Sequence, residues 1–362
     1  NDLTQSTASG NNSVAMGLST IASGDYSTAI GRNTTASGTA STAMGSSSIA
    51  SGNDSTAIGR NSVAKGAQSF AAGYNALADE GPMQVGSTIA LGTDVEATHH
   101  NSVAMGNKSR ASGEISTAMG FDSHASGRIS TAMGRSTAAG EYSTSTGYLN
   151  QATGDRSTAM GNESTASGVG AFSIGYQSIA GGNNSFAGGG NSEAPDPGGH
   201  AIGANSIAFG IGAKSSAFSI ALGNGTRAGV DSGGISTGVG SVAIGNQAIA
   251  EGSNAFASGT GTNASGNSST AMGSATSAAG DRSFAAGGGN LASGVSSTAL
   301  GSLTVASGSN SFACGDNITA SGIVSFAAGK GNIASGAGSI AMGGVGTGTS
   351  TASGEASAVF GG

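Results

Sequence analysis

The stretch from Ser27 to Gly45 reads Ser-Thr-Ala-Ile-Gly-Arg-Asn-Thr-Thr-Ala-Ser-Gly-Thr-Ala-Ser-Thr-Ala-Met-Gly, and its spacing decides the fold. Glycines fall at 31, 38 and 45, seven apart. The same beat runs from Gly245 to Gly343 without a miss. Successive sevens differ. One half is Ser-x-Ala-x-Gly, as in Ser27 to Gly31, and the other ends in Ala-x-Gly, as in Ala36-Ser37-Gly38, so the true repeat is fourteen residues. Each half alternates in character over about five residues. It closes with glycine and a polar pair such as Asp25-Tyr26 or Asn53-Asp54. Alternation bounded by turn residues predicts short strands. Two short strands and two tight turns make one coil of a parallel β-solenoid, an all-β fold. The repeat spans residues 1–362 as a single array of roughly 25 coils stacked about 4.8 Å apart.

Composition agrees with this reading and excludes others. Glycine supplies 68 of 362 residues, yet collagen needs glycine at every third position with abundant proline, and there are only 3 prolines. Disorder goes with high net charge and few apolar residues, whereas the apolar share is 36% and the net charge −7. A mildly acidic chain with scattered Lys and Arg has no footprint for nucleic acid. No apolar run approaches the ~20 residues of a membrane-spanning helix, so no membrane contact is expected. The lone cysteine, Cys314, excludes an internal disulfide framework.

Two columns in Ser-x-Ala-x-Gly trade volume. Where the first x is Thr or Val the second is usually large, as in Val14/Met16, Thr28/Ile30, Thr42/Met44 and Thr117/Met119. Where the first is Phe the second shrinks, as in Phe70/Ala72, Phe186/Gly188, Phe284/Ala286, Phe312/Cys314 and Phe326/Ala328; Phe172/Ile174 is the exception. Such compensation marks a close-packed space. A fourteen-residue coil is too narrow to hold these side chains once the Ser and Ala columns (Ser13, Ala15, Ala22) fill it. The Phe and Met side chains therefore point outward, along a stripe that must be covered. The predicted seam of a homo-oligomer comprises Val14, Met16, Met44, Phe70, Met105, Met119, Met133, Phe186, Phe284, Phe312, Cys314, Phe326 and Met342.

Every departure from the repeat falls in the stretch that leaves a Ser-x-Ala-x-Gly glycine, giving irregular loops near 74–87, 190–205, 224–240 and 344–356. Gly134 to Gly147 and Gly210 to Gly223 are one residue short. One face thus tolerates loops and reads as solvent-exposed, the other as the seam. Pro82, Pro195 and Pro197 all lie in these irregular stretches.

Asn12-Ser-Val-Ala-Met-Gly17, Asn101-Ser-Val-Ala-Met-Gly106 and the recurring Ser-Thr-Ala-Ile/Met-Gly followed by Ala-Ser-Gly resemble the head repeats of trimeric autotransporter adhesins of the YadA type. The resemblance covers nearly the whole chain. It implies a left-handed parallel β-roll, a homotrimer, and display on a Gram-negative cell surface through the outer membrane. It also implies attachment to extracellular-matrix proteins of the collagen, fibronectin or laminin class, or to other bacterial cells. The family's stalk, membrane anchor and neck have no counterpart in the sequence, which reads as an excised head.

No catalytic chemistry is expected. The histidines at 99, 100, 124 and 200 sit near turns or irregular stretches, His99-His100 has no Cys or carboxylate at metal-site spacing, and the glycine-rich stretches lack Gly-Lys-Ser/Thr. No cofactor or metal is implied. The competing readings are an ice-binding solenoid, from the threonine ladder Thr28, Thr42, Thr56, and a trimeric phage tail-fibre segment. Ligand contacts are expected at the less repetitive residues of the insertions: Tyr74, Asp79, Glu80, Met83, Glu193, Asp196, His200, Arg227 and Asp231. The plainer alternative is that these loops are spacers and that the repeated surface binds.

Overall fold

The computed structural model describes residues 5–80, 87–190, 198–231, 235–344 and 349–361. The chain forms two compact units, residues 1–173 and 174–362. Each is a parallel β-solenoid built from the same fourteen-residue coil.

In the first unit the coil from Ser27 carries a long strand, Thr28–Arg32, and a short one, Thr35–Ala36. Each pairs in parallel with its equivalent fourteen residues on, Thr28 with Thr42 and Thr35 with Ile49. Strand amides reach forward: Thr28 N donates to Ser41 O at 2.8 Å and Thr35 N to Ser48 O at 2.9 Å. Turn amides reach back: Asn33 N donates to Leu18 O and Ala40 N to Asp25 O, both at 2.8 Å. Both turn residues are left-handed, with φ of 56° and 53°. Asn and Asp hold many of these places, as their side chains tolerate that conformation. In the second unit, Thr270–Ser274 and Ser277–Ala278 repeat the pattern, with Thr270 N on Ser283 O and Ala275 N on Thr260 O, each at 2.9 Å.

Alternation along each strand fills the inside of the coil. Ser27, Ala29, Thr34 and Ala36 are all fully buried, while Thr28, Ile30 and Thr35 face out. The Ser and Ala columns lie inside, as expected, but a fourth inward column was missed. It runs through Thr20, Thr34, Ser48, Ser62 and Val95 in the first unit and Thr262, Thr276, Asn290 and Ile318 in the second. Its asparagines and several of its serines, Ser48 and Ser62 among them, bind the corner backbone, while the Thr20, Thr34 and Thr262 hydroxyls are buried without a partner. Asn150 Nδ2 donates to Thr146 O at 2.7 Å and Gly161 O at 2.8 Å, and its Oδ1 accepts from Ser164 N at 2.8 Å. Asn290 makes the equivalent three bonds. Such buried amides are satisfied rather than costly.

Insertions leave the strands in register. Phe70–Tyr74 pairs residue for residue with Ile89–Thr93, and Leu77–Ala78 with Glu96–Ala97. The irregular lengths are confined to the two corners flanking the short strand.

Glycine 273 shows why coils can stack so closely. It adopts φ of +113°, and a Cβ there would lie 2.1 Å from Gly287 O. Gly261 has φ of +61° but open space around it, and Gly288 has open space and an ordinary φ. Alanine substitutions should therefore rank. Gly288→Ala is expected to be near neutral, Gly261→Ala to cost about 1 kcal/mol, and Gly273→Ala to cost more than the ~1–3 kcal/mol of backbone strain alone, because a steric clash adds to it. Thermal melts of the three variants check the order; equal losses would refute the stacking argument.

Candidate functional site

Two features stand out on the surface of the coils: an outward apolar stripe, and a polar cleft in the first unit. The stripe lies on the long strands. In the first unit Met105, Met119, Met133 and Thr146 stack in register beside Val103, Thr117, Thr131 and Thr144. All the residues of the predicted seam face out of the coil. Val14, Met16, Met44, Met105 and Met342 are exposed, Met16 at 59% and Met44 at 38%. Phe70, Met119, Met133, Phe186, Phe284, Phe312, Cys314 and Phe326 are half-buried against their neighbours in the stack. In the second unit Phe312 and Phe326 stack with ring centres 5.3 Å apart and planes 4° from parallel. Cys314 lies beneath them, between Leu300 and Ala328.

Volume compensation also operates between coils. Phe209 occupies a second-column place and lies over Gly188, where a Cβ would come within 2.5 Å of its ring. Phe209 also stacks on Phe186 at 6.0 Å. Gly188 is small because the next coil fills its space.

The proposed loop contacts scatter. Tyr74 ends a long strand with the Arg60 guanidinium 5.5 Å from its ring centre. Asp79 pairs with Lys65 Nζ at 3.3 Å. His200, Lys214 and Arg227 stack in one outward column of short strands, and Arg227 lies 3.6 Å from Glu251. Asp231 Oδ1 accepts from Ile235 N at 2.9 Å. Met83, Glu193 and Asp196, with Pro82, Pro195 and Pro197, lie outside the described residues.

Glu80 is placed differently from its neighbours. It occupies a corner glycine position, stacked on Gly66, and is 2% exposed, so it offers no surface to a ligand. Its carboxyl pKa is raised, chiefly by burial; a hydrogen bond with the Ala67 backbone opposes the shift, Asp79 adds to it and His100 opposes it.

The cleft arises where the repeat is one residue short. Arg135 pairs with Tyr148 and Ser136 with Asn150, so Leu149 has no partner across the register shift. The neighbouring coils carry a left-handed corner residue here, Lys108, Asp122, Leu149 and Glu163. The coil between Asp122 and Leu149 lacks one, and the gap opens a cleft of about 430 Å³. Asp122 and Glu163 lie along its rim with Arg135, and His124, Thr137, Gln151 and Thr165 form one wall as successive short-strand residues. The Arg135 guanidinium is sandwiched 5.9 Å from the Phe121 ring centre and 5.6 Å from that of Tyr148. The sequence reading noted the thirteen-residue spacing but attached no site to it. Among the described residues no group of three His, Cys, Asp or Glu side chains comes together as a metal site.

The model of the YadA head domain repeat matches twelve stretches of the chain, from 4–20 and 22–48 through 138–164 to 264–290 and 292–317. The chain belongs to this family, that of the YadA-like heads of trimeric autotransporter adhesins. No curated protein matches it significantly.

Because Glu80 binds its proton more tightly when folded, its contribution to stability is intact below the ordinary carboxyl value of 4.5 and lost as pH rises through its higher folded-state value. Glu80→Gln should therefore melt above the parent at pH 7, with the difference closing below about pH 4. Equal melting temperatures at pH 7 would show that the buried carboxylate carries no penalty.

Proposed function

We propose that this chain is the head of a bacterial surface adhesin, working as a left-handed homotrimeric β-roll. On this reading it is held at the outer membrane by the family's anchoring parts and attaches to collagen-, fibronectin- or laminin-class matrix proteins or to other cells. The observation that carries the reading is the outward apolar stripe on a coil of a YadA-type head. Each Met or Ile in it stands to gain part of the ~1.5–3 kcal/mol that full burial of such a side chain is worth. Three protomers around one axis can turn their stripes toward a shared interior, so that each stripe is covered by the other two. The short-strand face and its loop-bearing corners stay in solvent and do the binding. The role is adhesive rather than catalytic.

The ice-binding alternative is weaker. Thr28, Thr42 and Thr56 do stand in register, but the next place in the column is Phe70, which breaks a flat hydroxyl lattice.

In a solid-phase screen, the parent should bind at least one matrix protein or whole bacteria; binding to none would contradict the adhesive role. Met119→Asp brings three carboxylates together at the seam and should cost several kcal/mol of assembly stability, and with it the avidity of binding. An unchanged melting temperature at neutral pH would remove the seam.

A further inference from the structure

We propose that the cleft between Asp122 and Glu163 is a binding site for an uncharged oligosaccharide. The gap is built by the missing corner residue, and its volume falls within the ~300–1,000 Å³ of small-ligand sites. Its lining mixes hydrogen-bonding types within one short span. Asp122 and Glu163 are acceptors; Arg135 is a donor; Gln151, Thr137 and Thr165 are both. A sugar hydroxyl also donates and accepts at once, so a chain of them can satisfy every group in such a wall. An anion would meet the two carboxylates at the rim, and a cation would meet Arg135. A peptide would need apolar anchors, and Leu149 is the only large apolar side chain lining the cleft.

Asp122 and Arg135 retain capacity for a ligand. The Asp122 oxygens lie 3.4 Å from His124 Nε2 and 3.8 Å from Arg135 Nε, beyond good hydrogen-bond length. The Arg135 side chain is 40% exposed, and its Nη1 donates to Tyr148 Oη at 3.4 Å. Stacking between Phe121 and Tyr148 fixes the guanidinium plane, so its binding edge is ordered before a ligand arrives, which lowers the entropic cost of binding. Phe121 and Tyr148, 52% and 47% exposed, hold Arg135 between them beside the cleft. The seam columns lie on the long strands, away from this wall.

The proposal does not rest on the adhesin reading, and its test reads the cleft alone. The intact chain is titrated by calorimetry, after an array screen, with neutral hexose and N-acetylhexosamine oligosaccharides and with their sialylated and sulfated counterparts. Binding of a neutral oligosaccharide is expected. Inserting one Asn between Arg135 and Ser136 restores the regular corner and fills the gap. That variant and Gln151→Ala should each weaken binding about tenfold or more, with the parent's melting temperature retained in Gln151→Ala. If the insertion disturbs folding, Gln151→Ala and Glu163→Gln carry the test. No binding to any neutral oligosaccharide, preference for the charged ones, binding of peptides instead, or full affinity in the variants would each overturn the assignment.

Discussion

The close approach of successive backbones at the glycine corners is the constraint on which the rest depends. At Gly31 a Cβ would lie 1.9 Å from the carbonyl oxygen of Gly45, and at Gly38 it would lie 2.0 Å from that of Gly52. No side chain can enter either corner while the strands keep their hydrogen bonds. The first glycine also needs its φ of +128°, whereas the second needs only the space. Glycine at these corners is thus favoured by packing, with Glu80 as a departure at a second corner, and this explains the 68 glycines of the sequence.

A coil drawn this tight leaves room for four inward residues. Ser27, Ala29, Thr34 and Ala36 fill it, and the largest fully buried side chains among the described residues are Ile318, Val95 and Val230. The bulky apolar residues are therefore displaced to the outer face, where a soluble monomer would place polar groups. Hydrophobic burial, the main stabilising term in most folds, is only partly satisfied within one chain. Hydrogen bonding between coils supplies the order, and the outward stripe is the reason for the proposed assembly.

Much of this was legible in the sequence, because columns of identical residues repeat at a fixed period. Gly31, Gly45 and Gly59 announce a corner, and Phe70/Ala72 against Thr42/Met44 announces a shared packed space. The fourth inward column was not legible, since Thr20, Ser48, Ala76, Val95, Asn150 and Ile318 share a place and no chemistry. Glu80 misled for a related reason: a carboxylate beside an insertion reads as a surface group, yet stacking on Gly66 carries it inside. The cleft is instead a deletion effect. Its cue was one missing residue between Gly134 and Gly147, whereas the insertions pointed to Tyr74 in the first unit and to Arg227 and Asp231 in the second.

On the trimeric reading proposed above, a chain so narrow inside finds its hydrophobic burial between protomers. The mass of the native protein in solution tests this most directly. Sedimentation equilibrium at micromolar concentration should give three times the 33.8 kDa of one chain, with no monomer at the lowest concentration measured. A stable, folded species of 33.8 kDa would mean that the stripe tolerates water, and the account of the outer face would be wrong.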